Sequence, residues 1–291
     1  MSGPVVVGVD GSESGLAAVE AAAGVARSRG VELRVVHAFV WPLMHVPLGA
    51  PVPGPADGGL RNAAERVLAD AAGRARSLAP EVKVTEVLVA GAPLPVLEAQ
   101  SRTAGLVVVG SRGLGAFTGL LIGSTAVGLA AHGGCPGVGG RGRPAPDGPI
   151  VLGVDGSAAG DEAVGFAFDE ADSRGAGIVA LHAWTPWDAP MPPPGDPSAP
   201  FANEPGALAE HEARLPAEAL AGWCAKYPDI RVEHRVVRAD AREALIEASA
   251  AAQLVVVGTR GRGGFAGLLL GSVSQALLHH AHCPVVVAGG S

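Results

Sequence analysis

Lysine is nearly absent from this sequence of 291 residues, which contains only Lys83 and Lys226. The formal net charge is −7 at pH 7. Because binding to a nucleic-acid backbone depends on clustered lysine and arginine, we expect no nucleic-acid partner. The scarcity of lysine also excludes a P-loop, whose G-x4-G-K-[ST] pattern needs a lysine directly after its second glycine.

Long apolar runs and paired cysteines are missing as well. No apolar run approaches the roughly 18 residues that a membrane-spanning helix needs. No basic segment precedes the first apolar run, so we expect neither a membrane span nor a secretory signal. The three cysteines form no C-x2-C pair, which argues against a disulfide framework. We therefore expect a cytoplasmic protein.

The sequence does contain one glycine pattern that occurs twice. Gly110-Ser-Arg-Gly113 is followed, after nine residues, by Gly123-Ser124. Gly258-Thr-Arg-Gly261 is followed by Gly271-Ser272 at the same spacing. The two copies lie 148 residues apart (258 − 110), which indicates a tandem duplication.

The repeat extends through the rest of each half. Val5-Val-Val-Gly8-Val-Asp10-Gly-Ser12 returns as Ile150-Val-Leu-Gly153-Val-Asp155-Gly-Ser157, 145 residues later (155 − 10). We predict two domains, 1–143 and 147–291, separated in a stretch rich in glycine, proline and arginine. Each half is long enough to bury its own core.

The apolar runs are continuous rather than alternating, which is typical of parallel strands buried on both faces. Helical periodicity separates them, and it predicts eight helices: 14–29, 58–78, 92–103 and 120–132 in the first half, and 158–174, 207–226, 242–252 and 268–280 in the second. This alternation predicts a doubly wound α/β sheet in each half. The ligand crevice of such a sheet lies at the carboxyl ends of its strands.

Two features of the predicted fold are unusual. The last strand of the second half, Cys283-Pro-Val-Val-Val287, corresponds to Cys135-Pro-Gly-Val-Gly139 in the first. Because glycine weakens strands, we expect the first-half strand to be short, frayed or held only by a partner chain. Long proline-rich connections at 41–59 and 185–206 are predicted to be lids over the crevice or disordered segments.

The glycine loops have the composition of a phosphate-binding site. Gly110 and Gly113 allow a tight turn beside a phosphate, and Gly123-Ser124 begins the helix whose N–H groups face it. Arg112 adds a positive charge, as does Arg260 in the second copy. The alternative is a packing role, in which the glycines only let a helix approach the sheet.

Asp10 and Asp155 follow the first strand of each half. A carboxylate there can hold a ribose, an adenine edge or a divalent metal. Helix capping is the alternative role, although Ser12 and Ser157 can cap instead.

These residues resemble those of universal stress protein domains, whose nucleotide-binding members show G-x2-G-x9-G-[ST], and the layout is similar to that of tandem-domain actinobacterial members. The resemblance implies two flavodoxin-like (Rossmann-like) domains, each with a five-stranded parallel sheet in the order 3-2-1-4-5. It also implies an ATP-binding homodimer, with Mg²⁺ or Mn²⁺ beside the nucleotide. Such a protein senses stress or growth state and acts on a regulatory protein partner, with little or no turnover.

The resemblance assigns nucleotide-binding residues to both halves. Those of the first half are Gly8, Asp10, Ala38, Val89, Gly110, Arg112, Gly113, Gly123 and Ser124. Those of the second half are Gly153, Asp155, Ala183, Val237, Gly258, Arg260, Gly261, Gly263, Gly271, Ser272 and Val273. One departure is Gly91-Ala-Pro93, which has no counterpart at 239–242.

Other assignments have less support. His279, His280, His282 and Cys283 are zinc-ligand types, but their spacing at a helix end points them apart, so we assign them to packing and helix charge. Gly261 begins a match to the dinucleotide fingerprint, but after the fourth strand, so we expect neither NAD nor FAD. A slow ATP hydrolase and a nucleotide-free scaffold are the alternative functions.

Overall fold

The computed structural model describes residues 3–39, 58–110, 123–139, 144–157, 160–185, 207–262 and 270–289. The chain divides into two compact units, residues 1–139 and 140–290, which are called the first and the second domain below. Apart from their ends, the proline-rich connections at 41–59 and 185–206 lie outside the described residues. Within the described ranges, no helix is both long enough and apolar enough to cross a bilayer.

The first domain alternates strands and helices. Its elements are β1 (Val5–Gly8), α1 (Glu13–Arg29), β2 (Leu33–Phe39), α2 (Gly58–Leu78), β3 (Val84–Ala90), α3 (Pro93–Ser101), β4 (Leu106–Val109), α4 (Ser124–His132) and β5 (Gly137–Gly139). The strands are parallel and lie in the order β3-β2-β1-β4-β5.

The second domain repeats this layout. Its elements are β6 (Ile150–Gly153), α5 (Asp161–Arg174), β7 (Ile178–Ala183), α6 (Ala207–Lys226), β8 (Val232–Val237), α7 (Ala241–Ala248), a 3-10 turn (Ser249–Ala251), β9 (Leu254–Gly258), α8 (Ser272–His280) and β10 (Val285–Ala288). The parallel strands lie in the order β8-β7-β6-β9-β10. Both sheets therefore have the predicted order 3-2-1-4-5.

The apolar strand runs form the centre of each domain. Val5, Val6 and Val7 of β1 are 0% exposed, because helices cover both faces of the sheet. Val5 pairs with Leu33 on one side and Leu106 on the other. This register brings the carboxyl ends of β1 and β4 to one edge of the sheet, where the sequence predicts the crevice.

Helices α2 and α6 have the predicted bounds, but α8 is shorter than predicted. The sequence predicts a helix over 268–280, whereas α8 begins at Ser272. Gly271 is extended (φ −67°, ψ 153°), and its N–H donates to Thr259 O instead of to a helical carbonyl. The helix therefore cannot begin before Ser272. In the first domain, α4 likewise begins only after an extended Gly123.

Strand β5 is the short strand that its glycines predict. It has three residues, of which Gly137 and Val138 pair with β4. Its second-domain counterpart β10 has four residues, all paired with β9. The difference follows from replacing two valines of the strand by glycine, which forms no side-chain contacts and has a larger entropic cost.

Candidate crevice at the carboxyl ends of the strands

The residues after β1 form a tight turn that is built around Asp10. Its Oδ1 accepts hydrogen bonds from Ser12 N (3.0 Å) and Ser12 Oγ (2.6 Å). Ser12 is the N-cap of α1, and its Oγ accepts from Gly15 N at 3.1 Å. Gly11 takes a positive φ of 86°, which only glycine adopts readily. Ser12 thus caps the helix, and Asp10 orients Ser12.

The second domain repeats the turn but not the cap. Asp155 Oδ1 accepts from Ser157 N (2.9 Å) and Ser157 Oγ (2.7 Å). Helix α5 begins later, after Gly160, which provides no side-chain cap. In both domains one carboxylate oxygen therefore stabilises the turn itself.

Several predicted glycines lie in close backbone contacts. A Cβ added at Gly110 would lie 2.7 Å from the carbonyl carbon of Ser14 in α1. At Gly8 it would lie 2.7 Å from Leu97 Cδ1, and at Gly153 2.9 Å from Val257 Cγ1. Gly110 therefore has a packing role against the backbone of α1, whereas at Gly8 and Gly153 the neighbouring atoms are ends of side chains that can shift.

The predicted alanine and valine at the ends of the second and third strands are direct neighbours. Ala38 of β2 pairs in register with Val89 of β3. Ala183 of β7 pairs with Val237 of β8 in the same way. Each pair forms a small apolar surface at the edge that holds the aspartate turn.

The second glycine loop is described at both ends, and these ends are bonded to each other. Gly271 N donates to Thr259 O at 2.8 Å, and Ser274 Oγ donates to Gly258 O at 2.7 Å. Helix α8 begins there with Ser272 and Val273, and no side chain caps it. Arg260 is exposed beside this helix start. The loop therefore presents an arginine and an uncapped helix N-terminus.

Three of the predicted residues fall outside the described ranges, namely Arg112, Gly113 and Gly263. In the first domain, Gly110 ends the described part of the loop, and Gly123 and Ser124 begin α4. No side chain caps this helix either.

The start of the second loop closes onto the aspartate turn through Arg262. The backbone N–H of Arg262 donates to Asp155 Oδ2 at 2.9 Å, and its Nε donates to the Asp155 carbonyl oxygen. Gly261 lies so close to the Asp155 carboxylate that a side chain there would displace one of them. The sequence predicted Gly261 and Asp155 in one site, and the fold brings them into contact.

Arg262 also contacts a buried glutamate that sequence analysis missed. Its Nη1 lies 3.3 and 3.4 Å from the two carboxylate oxygens of Glu212, which is only 3% exposed. Glu212 Oε2 lies 2.6 Å from His182 Nε2, and His182 Nδ1 donates to Val154 O at 2.7 Å. His182 is therefore buried and hydrogen-bonded through both ring nitrogens. The sequence pattern could have indicated Glu212, because it lies four residues before Pro216 and eight before Leu220, on the buried face of α6.

A cavity of about 310 Å³ adjoins Asp155 in the second domain. It lies between the start of α5 and the middle of α6, where Val164, Leu215 and Ala219 supply apolar walls. Asp155, Asp161 and Glu218 supply carboxylates. The crevice at this edge is therefore open to a small molecule.

The histidine and cysteine cluster at the end of α8 has no metal-site geometry. In the part of the chain that the structure describes, no three His, Cys, Asp or Glu side chains are grouped to hold an ion. Cys283 is buried, its Sγ contacts Pro284 O at 3.4 Å, and burial raises the pKa of its thiol to about 12.

Comparison with known proteins identifies the family. Residues 1–138 and 148–289 each match the universal stress protein family. The chain is 38% identical over 300 residues to universal stress protein Rv2005c of Mycobacterium tuberculosis, covering 98% of this chain and 96% of that protein. A universal stress protein of Mycolicibacterium smegmatis is 39% identical over 293 residues, covering 97% and 96%.

A solved structure supports the same fold. The crystal structure of a universal stress protein from Archaeoglobus fulgidus superposes with a TM-score of 0.70 at 20% identity, covering 100% of this chain and 97% of that one. The family match recurs in both halves, and the mycobacterial relatives align over nearly the full length. The chain belongs to the universal stress protein family and carries two of its domains in tandem.

Proposed function

We propose that each domain binds one ATP with Mg²⁺ or Mn²⁺ and that the protein is a regulatory nucleotide sensor with little or no turnover. One observation carries the proposal: the same edge of both sheets holds an aspartate turn, the two described ends of a glycine loop and a helix N-terminus without a side-chain cap. Family membership supports it, because the nucleotide-binding pattern is intact in both halves.

The residues at this edge fit the chemistry of a nucleotide. Phosphates are bound well by helix N-termini, where N–H groups and the helix dipole face the anion. Ser124 and Ser272 begin such helices, and Arg260 adds a cation in the second domain. An aspartate suits ribose hydroxyls, and the pairs Ala38–Val89 and Ala183–Val237 offer apolar surface to a base.

A bound nucleotide would bring negatively charged phosphates to this edge, and residues of the protein would hold them in place. The glycine loop and the helix N-terminus orient the phosphates, and Asp10 or Asp155 takes a polar edge of the nucleoside. Phosphoryl transfer would also need a base or a residue that orients water. Beyond the two aspartates the sequence offers no such set, so occupancy rather than hydrolysis is the proposed signal.

The proposal extends to assembly and location. We place the protein in the cytoplasm as a homodimer whose surface changes with nucleotide occupancy. A regulatory protein then binds one of the two states. Sedimentation with and without ATP tests the assembly.

The test is to identify the nucleotide that the protein carries. Freshly purified protein is denatured, the released nucleotides are identified by mass spectrometry, and ATP binding is titrated with Mg²⁺. We expect about two ATP per chain, because the motif occurs twice. Release of ADP or AMP with turnover would favour the slow hydrolase, and no nucleotide with no binding would refute the proposal.

Matched glycine variants assign the sites. Gly110→Ala forces a Cβ against the backbone of Ser14, and Gly261→Ala forces one against the Asp155 carboxylate. Each should remove one ATP per chain. Gly73→Ala in α2 and Gly222→Ala in α6 are the controls, because a Cβ at either position meets nothing within 4 Å. Both controls should keep two ATP.

A further inference from the structure

Both oxygens of the Asp155 carboxylate are held by hydrogen bonds from the protein itself. Oδ1 accepts from the N–H and the hydroxyl of Ser157 at 2.9 and 2.7 Å, and Oδ2 accepts from the N–H of Arg262 at 2.9 Å. A carboxylate offers about four acceptor positions, so these bonds leave about one of them, on Oδ2, for a ligand. The bond from Arg262 is the one that fixes this oxygen.

The side chain of Arg262 determines where its N–H lies. Its Nε donates to the Asp155 carbonyl oxygen, and its Nη1 lies 3.3 Å from Glu212 Oε1 on α6. A guanidinium is planar and carries its N–H groups in a fixed fork, so two partners set its orientation. These contacts tie a loop residue to segments that lie 50 and 107 positions away along the chain.

Glu212 is a firm anchor for the guanidinium because it is buried and held from its other side. It is only 3% exposed. His182 Nε2 lies 2.6 Å from its Oε2, so a proton is shared across that contact. His182 Nδ1 in turn bonds to the carbonyl of Val154 at 2.7 Å, which fixes the imidazole ring. Arg262 therefore bonds to a carboxylate that is itself held in one position.

We propose that Glu212 is a positioning residue of the second-domain nucleotide site: it holds the Arg262 guanidinium and thereby keeps the Arg262 N–H on Asp155 Oδ2, so that the carboxylate is oriented before the nucleoside arrives. This inference rests on the proposed function. A site that is already ordered loses less entropy when its ligand binds. Glu212 need not touch the nucleotide, because its effect passes through Arg262.

ATP binding to the second site tests the proposal. In a Gly110→Ala background, chosen to remove the first site, ATP and Mg²⁺ are titrated into Glu212→Ala and Arg262→Met. Each variant should bind ATP about tenfold more weakly than the background, as for a bond to Asp155 that forms about one-tenth of the time. The double variant should equal either single one, because both substitutions remove the same contact.

The conservative variant Glu212→Gln distinguishes positioning from a general effect on the fold. Glutamine can still accept from Arg262 through its oxygen, and its NH2 can donate to an unprotonated His182 Nε2. A neutral amide oxygen is a weaker partner for the guanidinium than a carboxylate, so the affinity should lie between those of the background and Glu212→Ala. Glu210→Ala and Arg214→Met, at exposed positions of α6, are the charge-matched controls and should bind as the background does.

Three patterns of affinity overturn the proposal. If Arg262→Met binds weakly while Glu212→Ala binds as the background does, Arg262 is itself a ligand of the nucleotide and needs no anchor. If both variants bind as the background does, the orientation of Asp155 does not depend on them. Tighter binding in either variant means that these contacts compete with the nucleotide.

Hydrogen exchange at the Arg262 amide, followed by NMR, tests the positioning role without nucleotide. This amide should exchange about tenfold faster or more in Glu212→Ala, if its bond to Asp155 is formed at least about nine-tenths of the time in the unaltered protein and one-tenth in the variant. Glu210→Ala should leave the rate unchanged. If Glu212→Ala does not fold, the amide at position 262 of Arg262→Met gives the same comparison.

Equal exchange rates in all forms overturn the positioning role of Glu212. Failure of every form to bind ATP overturns the proposed function instead, and the exchange rates alone then decide whether Glu212 positions Arg262.

Discussion

His182 Nε2 and Glu212 Oε2 lie 2.6 Å apart in the second domain, and each residue is 3% exposed. The pair links β7 to α6 beneath the proposed nucleotide site. Glu212 also contacts Arg262 Nη1 at 3.3 Å, and in the first domain the corresponding histidine, His37, bonds to Val9 O at 2.7 Å.

Replacing Glu212 by alanine should destabilise the second domain. It leaves His182 Nε2 and Arg262 without the carboxylate that they share, and breaking a buried ion pair costs about 3 kcal/mol. Urea unfolding followed by tryptophan fluorescence measures the loss, because Trp223 of α6 packs near Phe168 with ring centroids 6.0 Å apart. The exposed Glu210 on the same helix is the control, and an equal loss in Glu210→Ala would contradict the role of the buried pair.

Replacing Gly73 or Gly222 by alanine should stabilise the protein. Both glycines lie in helices with open space around the missing Cβ. Alanine in a helix interior is favoured over glycine by about 1 kcal/mol. The midpoint of urea unfolding should therefore rise in both variants, and a fall in either would show that the position needs glycine.

Replacing Asp240 by alanine should destabilise helix α7 by about 1 kcal/mol, the usual value of an N-cap. Asp240 Oδ1 accepts from Arg242 N at 2.9 Å and from Glu243 N at 3.4 Å. The Arg242 side chain and these backbone bonds lower the pKa of Asp240 to about 2, from an ordinary 3.8.

The contribution of Asp240 to stability should depend on pH in a defined window. Because the pKa is lower in the folded state, the stabilisation is complete above pH 3.8 and is lost as the pH falls from 3.8 towards about 2. The urea midpoints of the unaltered protein and of Asp240→Ala should differ at pH 6 and become equal as the pH approaches about 2. A constant difference across this range would contradict the assignment.

In the first domain, an N-cap can be added rather than removed. Ala92 is the N-cap of α3 in an extended conformation (φ −68°, ψ 142°), and it provides no side-chain cap. Ala92→Asp should let a carboxylate accept from the N–H of Leu94 and stabilise the first domain by about 1 kcal/mol. Ala92→Leu, which adds bulk without an acceptor, is the control and should not stabilise.

Cys135 and Cys283 should be inert in the folded protein and report unfolding of their own domains. Burial raises the pKa of the Cys135 thiol to about 11 and that of Cys283 to about 12. Because only the thiolate reacts with iodoacetamide, neither should be alkylated at pH 8 until urea exposes it. Mass spectrometry of tryptic peptides measures each thiol separately, and rapid alkylation of either one in native buffer would contradict its raised pKa.

The domain repeat and the alternation of strands with helices follow from local patterns, whereas the strand order 3-2-1-4-5 was implied by the resemblance to universal stress proteins. Continuous apolar runs predicted β1, β4, β6 and β9, because a strand buried on both faces must be apolar throughout. Helices α2 and α6 begin and end at the predicted residues. Helix α8 begins four residues later than predicted (272 − 268), since Gly271 bonds to the distant Thr259 O instead of continuing the helix.

The sequence by itself determined two doubly wound domains with a glycine loop and an aspartate at the same edge of each sheet, because spacing along the chain and apolar patterning are local properties. Only the tertiary structure decided how Asp155 is bonded and what lies beside it. Asp155, His182, Glu212 and Arg262 come from four separate segments, and their contacts span up to 107 positions. Buried charges need partners, and packing of whole elements selects which ones they meet.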